Sequence, residues 1–260
     1  MSRHHLDFLC GRHRLGATLD TAPGTTGLLI VTGGNEVRAG AFNGQSRLAA
    51  DIADAGYPVF RFDRRGVGDS EGENRGFRNS AKDLRCALEA FRALVPAMNT
   101  LVAFGNCDAA SALMLNGGSG ADALVLSNPW TVEDAESDDQ QMPPSAVRAR
   151  YAEKLRNPRE IARLVGGGVD LRKLAGGLVH ALRPKPTPSS LAAEMAAGLA
   201  DFTGSVRILI AEADRTAKLF AANWDGADPR LFRCPGAGHA YAEPHAAAWL
   251  KQQLLDALSA

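Results

Sequence analysis

The sequence predicts an α/β fold, in which helices cover a mostly parallel sheet, and two observations favour this class. Short runs of β-branched and aliphatic residues alternate with longer segments at helical spacing, which is the pattern of strand–helix–strand units. The 260 residues, 45% of them hydrophobic, can bury a large core and exclude a disordered chain. The predicted strands are 28–31, 57–62, 100–104, 123–126, 206–211 and 230–234, the predicted helices are 43–55, 77–94 and 240–258, and 6–10 and 15–20 form an antiparallel lead-in.

The charge balance and the cysteines exclude several classes of protein. Lysine and arginine together number 29, as do aspartate and glutamate, which argues against nucleic-acid binding because that function needs a basic surface. Four widely spaced cysteines without a CxxC pair predict neither a disulfide framework nor a zinc site. The first residues lack the apolar region of a secretory signal, and no apolar run is long enough to cross a membrane. We therefore expect a cytoplasmic protein with reduced cysteines and no membrane span.

The alternating pattern breaks in the second half of the chain, which predicts an insertion. Prolines punctuate helical segments such as 145–155 and 157–167, and no strand pattern occurs there. We therefore divide the chain into an α/β core, 1–128 and 204–260, and a helical cap or lid, 129–203.

Charge is segregated within this predicted cap. Residues 131–142 contain five acidic and no basic side chains, whereas 144–186 contain ten lysines and arginines against three acidic residues. One interpretation is a lid whose basic face attracts an anionic substrate. The simpler interpretation is a solvated helical face with an unrelated charge bias.

The most informative segment is TLVAFGNCDAASALML, in which a strand pattern ends and a helix of small residues begins at once. It has the form of a nucleophile elbow, G-x-S-x-G, with Cys107 in place of serine and Ala109 in place of the last glycine. Gly105 and Ala109 are small enough for the close approach of strand and helix that this turn requires. A buried structural cysteine is the alternative explanation. At a helix N-terminus, however, a thiolate is favoured and can attack.

An acid and a base follow the elbow in the order that a catalytic triad on this scaffold needs. Asp214 comes after the strand VRILIA, and His239, in a glycine-rich loop, comes after the strand RLFRC. Both loops lie at carboxyl ends of predicted strands, where an open α/β sheet places its ligand site. Asp214 could instead cap the next helix, and Glu212, Asp225 and Asp228 are nearby acids. We expect Cys107, His239 and Asp214 to act as nucleophile, base and acid.

Two backbone amides are expected to stabilise the oxyanion of the reaction. Asp108, the residue after the nucleophile, supplies one N–H group. The loop TGGNEVR should supply the second, with Gly34 as the preferred donor and Asn35 as the next choice, although an ordinary Gly-Gly turn is the alternative.

The segment 63–70, DRRGVGDS, is assigned a structural role. Asp63 and Arg65 could hold the loop near the site through hydrogen bonds, and Gly66 and Gly68 could provide turn geometry. It does not have the glycine spacing of a dinucleotide-binding loop.

Taken together, DRRGVGDSEG, GNCDAAS, EADRTA and GAGH resemble α/β-hydrolase enzymes over nearly the whole chain. More narrowly, GNCDAAS with SNPW and TGGNEVRAGAF is similar to the exosortase A system-associated hydrolase 1 family, which is found beside exopolysaccharide and protein-sorting systems of bacteria. The resemblance implies a hydrolase with Cys107, Asp214 and His239 as its triad, and implies no particular substrate. Cysteine in place of serine leaves the turnover of simple esters open.

The function expected from these residues is hydrolysis of a small-molecule ester or thioester, and anionic substrates are among the possibilities. We expect no cofactor and no metal. An acyltransferase with the same cysteine acyl-enzyme is one alternative, because thioesters react readily with hydroxyl and amine acceptors. A non-catalytic binding protein on a hydrolase scaffold is another. Acyl chain length, leaving group and oligomeric state stay open.

Overall fold

A computed structural model of the protein describes residues 2–132 and 190–260, and its centre is one eight-stranded sheet. The strand order across the sheet is β1-β2-β4-β3-β5-β6-β7-β8. The predicted α/β class is thus confirmed. The strands are β1 (Arg3–Cys10), β2 (His13–Asp20), β3 (Thr26–Val31), β4 (Val59–Phe62), β5 (Thr100–Asn106), β6 (Ala123–Ser127), β7 (Ser205–Ala211) and β8 (Leu231–Cys234).

The sheet begins with two antiparallel pairings, and its other neighbouring strands run parallel. β1 and β2 form a hairpin, and β2 pairs antiparallel with β4 through a register that sets Ala17 opposite Phe62. From β4 to β8 all adjacent pairs are parallel. The antiparallel lead-in predicted from the sequence is therefore confirmed. Because parallel strands end at the same edge, the loops after β3, β5, β7 and β8 lie together there.

Helices cover both faces of the sheet with apolar stripes. On one face, α2 buries Leu84, Leu88 and Phe91, whose spacing of three and four residues places them on one side of the helix. On the other face, α6 buries Leu250 and Leu254. No helix in the described residues is long and apolar enough to cross a membrane. The helices are α1 (Gly44–Asp54), α2 (Ala81–Leu94), α3 (Asp108–Leu115), α4 (Ser190–Gly198), α5 (Arg215–Asn223) and α6 (Pro244–Leu258).

Two predicted helices begin later than expected. The segment predicted as 77–94 starts with a separate 3-10 turn at Phe77–Asn79, and α2 begins at Ala81, after Ser80 with φ of −88° and ψ of −1°. The segment predicted as 240–258 begins at Pro244, since proline lacks an N–H group and suits only the first turn of a helix.

Only the ends of the predicted cap, 129–203, belong to the described part of the chain. The predicted helical segments 145–155 and 157–167 lie outside the described residues. Helix α4, near the end of the predicted cap, buries Leu191 and Met195 in the same apolar cluster as α3. This helix therefore packs as part of the layer beside the sheet.

The four cysteines are all free thiols. Cys10 and Cys234 are buried, as expected for core residues, whereas Cys86 is partly exposed. Cys107 is also partly exposed, at the carboxyl edge of the sheet.

Candidate active site

Cys107 occupies the turn between β5 and α3 in a conformation that non-glycine residues rarely adopt. Its φ is 62° and its ψ is −129°. Such a backbone costs roughly 1–3 kcal/mol and persists only where neighbouring structure holds it. Here the Cys107 N–H donates to the Ser127 carbonyl at 3.0 Å, and the Cys107 carbonyl accepts from the Ala110 N–H at 3.1 Å. Strand β6 and the first turn of α3 thus hold the strained turn in place.

The glycines around this turn are required for close approach. A Cβ at Gly105 would lie 2.8 Å from the backbone of Ala109 and Ala110, which no real side chain tolerates. A Cβ at Gly33 would lie 2.6 Å from the Asn106 carbonyl and 3.2 Å from the Cβ of Cys107. The turn that carries Cys107 and the loop after β3 therefore pack tightly against each other, and Cys107 faces that loop.

Asp214 and His239 meet at this edge of the sheet. The Asp214 Oδ2 lies 3.0 Å from the His239 Nδ1, and the same oxygen accepts the Ala217 N–H at 2.9 Å. Asp214 is therefore the cap of α5, the alternative drawn from the sequence, and also the hydrogen-bond partner of His239. The helix cap fixes the carboxylate, and the carboxylate orients the imidazole ring.

The charges of this pair depend on each other. Hydrogen bonds to Asp214 and then to Cys107 raise the pKa of His239 to about 10, although burial opposes the shift. Burial alone would raise the pKa of Asp214, but hydrogen bonds from His239 and the Ala217 backbone outweigh it and leave that pKa lowered. The site thus favours the charged imidazolium form of His239 beside the Asp214 carboxylate.

We expect Asp214→Asn to lower the pKa of His239 from about 10 towards its ordinary value of 6.5, because the largest cause of the raised pKa is the bond to Asp214. Asparagine can still accept the Ala217 N–H, so the helix cap is retained. The measurement is an NMR titration of the imidazole resonances, assigned with His239→Gln. Asp225→Asn, which changes an acid outside the pair, should leave the titration unaltered. An unchanged His239 titration in Asp214→Asn would contradict this electrostatic account.

The predicted oxyanion donors lie beside Cys107, with one unexpected partner. The Gly34 N–H donates to Oδ1 of Asp108 at 2.6 Å. Arg64, which is 5% exposed, donates to the Gly34 carbonyl at 2.5 Å and to Oδ2 of Asp108 at 3.1 Å. Asn35 is held by Asn74, whose amide donates to its side-chain oxygen at 2.8 Å. The structure therefore brings Gly34 and Asp108 together, but a carboxylate engages the Gly34 amide.

Two buried or half-buried asparagines, missed by the sequence reasoning, join the loops of the site. The Asn106 side chain donates to the His239 carbonyl at 3.1 Å and accepts from the Asn128 amide at 3.0 Å. Asn128 also accepts the Ala211 N–H at 2.9 Å and has a positive φ of 45°. The network links the ends of β5, β6 and β7 to the histidine loop. The sequence signal for Asn128 was its position two residues after the predicted strand 123–126.

The segment 63–70 holds a loop at the edge of the site, as the sequence predicted. Asp63 is fully buried and accepts the N–H groups of Arg38 at 2.5 Å and Asp69 at 3.1 Å. Arg65 binds Asp83 at 2.7 Å. Sequence reasoning named Asp63 and Arg65 but missed Arg64, the member of this segment that reaches Asp108.

A cavity of about 720 Å³ adjoins the end of β5. Its walls include apolar side chains, among them Phe104, and reach Asn106 and Tyr241. Glu36 lies at its edge, where burial raises the pKa of the carboxyl group while the charge of His239 opposes that rise. The cavity can therefore hold an apolar group near the candidate catalytic residues.

These features define a class of protein. An open, mostly parallel sheet with a strained nucleophile turn at the end of a central strand, followed by an acid and a histidine after later strands, is the architecture of α/β hydrolases. Residues 28–252 match the family model described as the alpha/beta hydrolase family. The chain belongs to this family. A comparison with curated protein sequences finds no match.

Solved structures share the fold at low sequence identity. The Pyrococcus furiosus esterase Pf2001 is 13% identical, with a TM-score of 0.63 over 99% of this chain and 90% of the other. The α/β hydrolase GrgF from Penicillium sp. sh18 is 17% identical, with a TM-score of 0.63 over 100% and 98% of the two chains. XC6422 from Xanthomonas campestris, described as an α/β serine hydrolase without a lid, is 15% identical, with a TM-score of 0.58 over 100% and 94%.

Proposed function

We propose that the protein hydrolyses carboxylic ester or thioester bonds through a covalent acyl-enzyme on Cys107. The observation that carries this proposal is the hydrogen bond between the His239 Nδ1 and Asp214 at the carboxyl edge of the sheet, where Cys107 lies in the strained turn after β5. A nucleophile, a base and an orienting acid connected in this order are the parts that acyl transfer needs. Membership of the α/β hydrolase family supports the same reaction class.

In the first half of the reaction, the Cys107 sulfur attacks the substrate carbonyl carbon. His239 takes up the thiol proton, or already holds it, and Asp214 stabilises the imidazolium that results. The C–S bond forms as the carbonyl double bond opens to an oxyanion. When the oxyanion collapses, the bond to the leaving alcohol or thiol breaks, and His239 donates its proton to that group.

In the second half, water replaces the leaving group. His239 removes a proton from the water as its oxygen attacks the thioester carbon, and the second oxyanion collapses with release of the Cys107 sulfur. The proton returns to the sulfur or stays on His239, and the carboxylic acid leaves. The enzyme needs no cofactor and no metal for these steps.

The oxyanion requires N–H groups that are free to turn towards it. The backbone amide of Asp108, at the start of α3, is one donor. The Gly34 amide is the second donor once the substrate oxygen displaces the Asp108 carboxylate from the Gly34 N–H. Arg64 keeps that carboxylate paired when it moves. Asn35 is the alternative second donor. The acyl group would lie in the cavity lined by Phe104 and Tyr241.

Three narrower features belong to this proposal. The resemblance to exosortase A system-associated hydrolases, carried by GNCDAAS and SNPW, suggests a bacterial enzyme of that group. A cap within 129–203, apart from α4, which packs beside α3, would cover the site, and a cytoplasmic location would keep Cys107 reduced. The proposed reaction at Cys107 does not depend on any of these three features.

The test is to trap the acyl-enzyme. We expect the protein mixed with p-nitrophenyl acetate and quenched at once to gain one acetyl group, located on Cys107 by peptide mass spectrometry, with a burst of p-nitrophenol. Product analysis in water and in added alcohol then distinguishes hydrolysis from acyl transfer, because an acyltransferase forms the new ester in preference to the acid. A protein that releases p-nitrophenol without acylation of Cys107 would rule out the covalent mechanism, and one that neither reacts nor releases it would favour the binding-protein alternative.

A further inference from the structure

A second cavity, of about 590 Å³, lies at the same edge of the sheet and is strongly basic. It is bounded by the turn between β1 and β2, by the loop after β4 and by the start of α2. Among the residues that the structure describes, two carboxylates, Glu73 and Asp83, line it. Its cationic side chains are those of Arg12, Arg64, Arg65, Arg75 and Lys82.

Several of these positive charges are not neutralised. Arg65 is bound to Asp83 at 2.7 Å, and exposed Arg75 is only loosely paired, with 3.7 Å between its Nε and Oε2 of Glu73. Within residues 2–132 and 190–260, neither Arg12 nor Lys82 makes an ion pair with a carboxylate. Cations that share a cavity raise the local concentration of an anion. The cavity thus has both the volume and the charge for an anionic group.

This basic cavity adjoins the residues proposed as oxyanion donors. Arg64 lines it and also donates to the Gly34 carbonyl and to the carboxylate of Asp108. Asn74, another lining residue, donates to the side chain of Asn35. The wall of the basic cavity is therefore in direct contact with the loop that carries the proposed oxyanion donors. A group bound there could belong to a molecule whose carbonyl reaches Cys107.

We propose that the basic cavity is an anion subsite of the catalytic site and binds a phosphate or carboxylate group carried by the substrate. The inference rests on the proposed acyl-ester chemistry and narrows its substrate to an anionic ester or thioester. The anion is held by Arg75, Lys82 and Arg12, whose positive charges are unpaired or only loosely paired. Arg64 stays bound to Asp108, and Arg65 stays bound to Asp83. The same cations would bind a phosphate on the leaving group or a carboxylate on the acyl group.

The first test needs no catalysis. Inorganic pyrophosphate is titrated calorimetrically into the wild-type protein and into Arg75→Gln/Lys82→Gln. We expect binding to the wild type that weakens with added salt and that falls about tenfold in the variant. Arg85→Gln/Arg92→Gln is the matched control, because it removes two positive charges from α2 at positions that do not line the cavity. No binding to the wild type, or equal binding to both double variants, overturns the subsite.

The second test connects the subsite to the reaction. Three thioesters are compared: one with a phosphate on the leaving thiol, one with a carboxylate on the acyl group and one that is neutral. In Arg75→Gln/Lys82→Gln we expect KM to rise about tenfold for one of the two anionic substrates, with kcat unchanged and the neutral thioester unaffected. The substrate affected identifies the source of the anion.

Failure of the inference and failure of the proposed function give different results. If KM rises equally for the neutral and anionic thioesters, or for none of them, the cavity is not a subsite of the reaction. If the wild type turns over none of the three, hydrolysis itself is contradicted, and the pyrophosphate titration still decides whether the cavity binds an anion.

Discussion

Cys107→Ala is expected to reduce the hydrolysis of acyl esters by roughly 10³-fold or more, because the variant has no atom that can form the acyl-enzyme. The measurement is the steady-state rate with p-nitrophenyl esters together with the burst of p-nitrophenol. Alanine keeps a Cβ at φ of 62°, so the strain of the turn and its backbone hydrogen bonds are retained. We therefore expect an unchanged circular dichroism spectrum and an unchanged unfolding midpoint.

Cys86→Ala is the matched control for this loss. Cys86 is also a partly exposed free thiol, but it lies on α2, away from the elbow. Its replacement should leave the rate within the error of the assay. Equal losses in the two variants would indicate that thiol content or stability, and not the nucleophile, limits the activity. Full activity of Cys107→Ala would show that another group attacks the ester.

Cys107→Gly tests the backbone strain of the turn separately from the loss of the thiol. Glycine adopts positive φ without steric cost, so this variant should lose activity like the alanine variant and yet be at least as stable as the wild type. A gain in unfolding free energy would show that the protein stores strain at its candidate nucleophile.

The strands could be predicted because their patterns are local. The run 100–104 became β5, Thr100–Asn106, and 206–211 became β7, Ser205–Ala211, since buried central strands are marked by continuous apolar residues. The predicted nucleophile, Cys107, could be placed for the same reason. Its surroundings are set by the sequence immediately before and after it, where Gly105 and Ala109 satisfy a short-range steric need.

The contacts between distant segments could not be predicted. Arg64 reaches Asp108 and Gly34 only because the ends of β4 and β5 flank β3 in the sheet, and strand order is not written in any local pattern. Asn128 likewise acquires its role from Asn106 and Ala211, which are remote in sequence. Similarly, a helical pattern alone could not distinguish α4, which packs beside α3, from a helix that covers the site.

Asp20→Ala is expected to destabilise the fold by about 3–5 kcal/mol, because it leaves a buried arginine without its counter-charge. Asp20 is fully buried and Arg61 is 2% exposed, and they meet at 3.3 Å between Oδ2 and Nη2. Burial lowers the pKa of Arg61, and the charge of Asp20 opposes that change. Chemical denaturation measures the loss. Asp7→Ala, which removes an ion pair between two exposed side chains, should change the unfolding free energy very little.

Asp20→Ala should also affect the candidate active site, because hydrogen bonds connect Arg61 to the end of the loop that carries Gly34. Arg61 donates to the Arg38 carbonyl at 2.6 Å, and the Arg38 N–H donates to Asp63 at 2.5 Å. Arg38 follows the loop that carries Gly34, so loss of Asp20 should loosen that loop and lower kcat as well as stability. Asp20→Leu/Arg61→Met removes both buried charges and leaves only the partly exposed Arg3 without its carboxylate, so we expect it to recover most of the unfolding free energy. If the double variant is as unstable as Asp20→Ala, packing at this position and not the unpaired charge governs the loss.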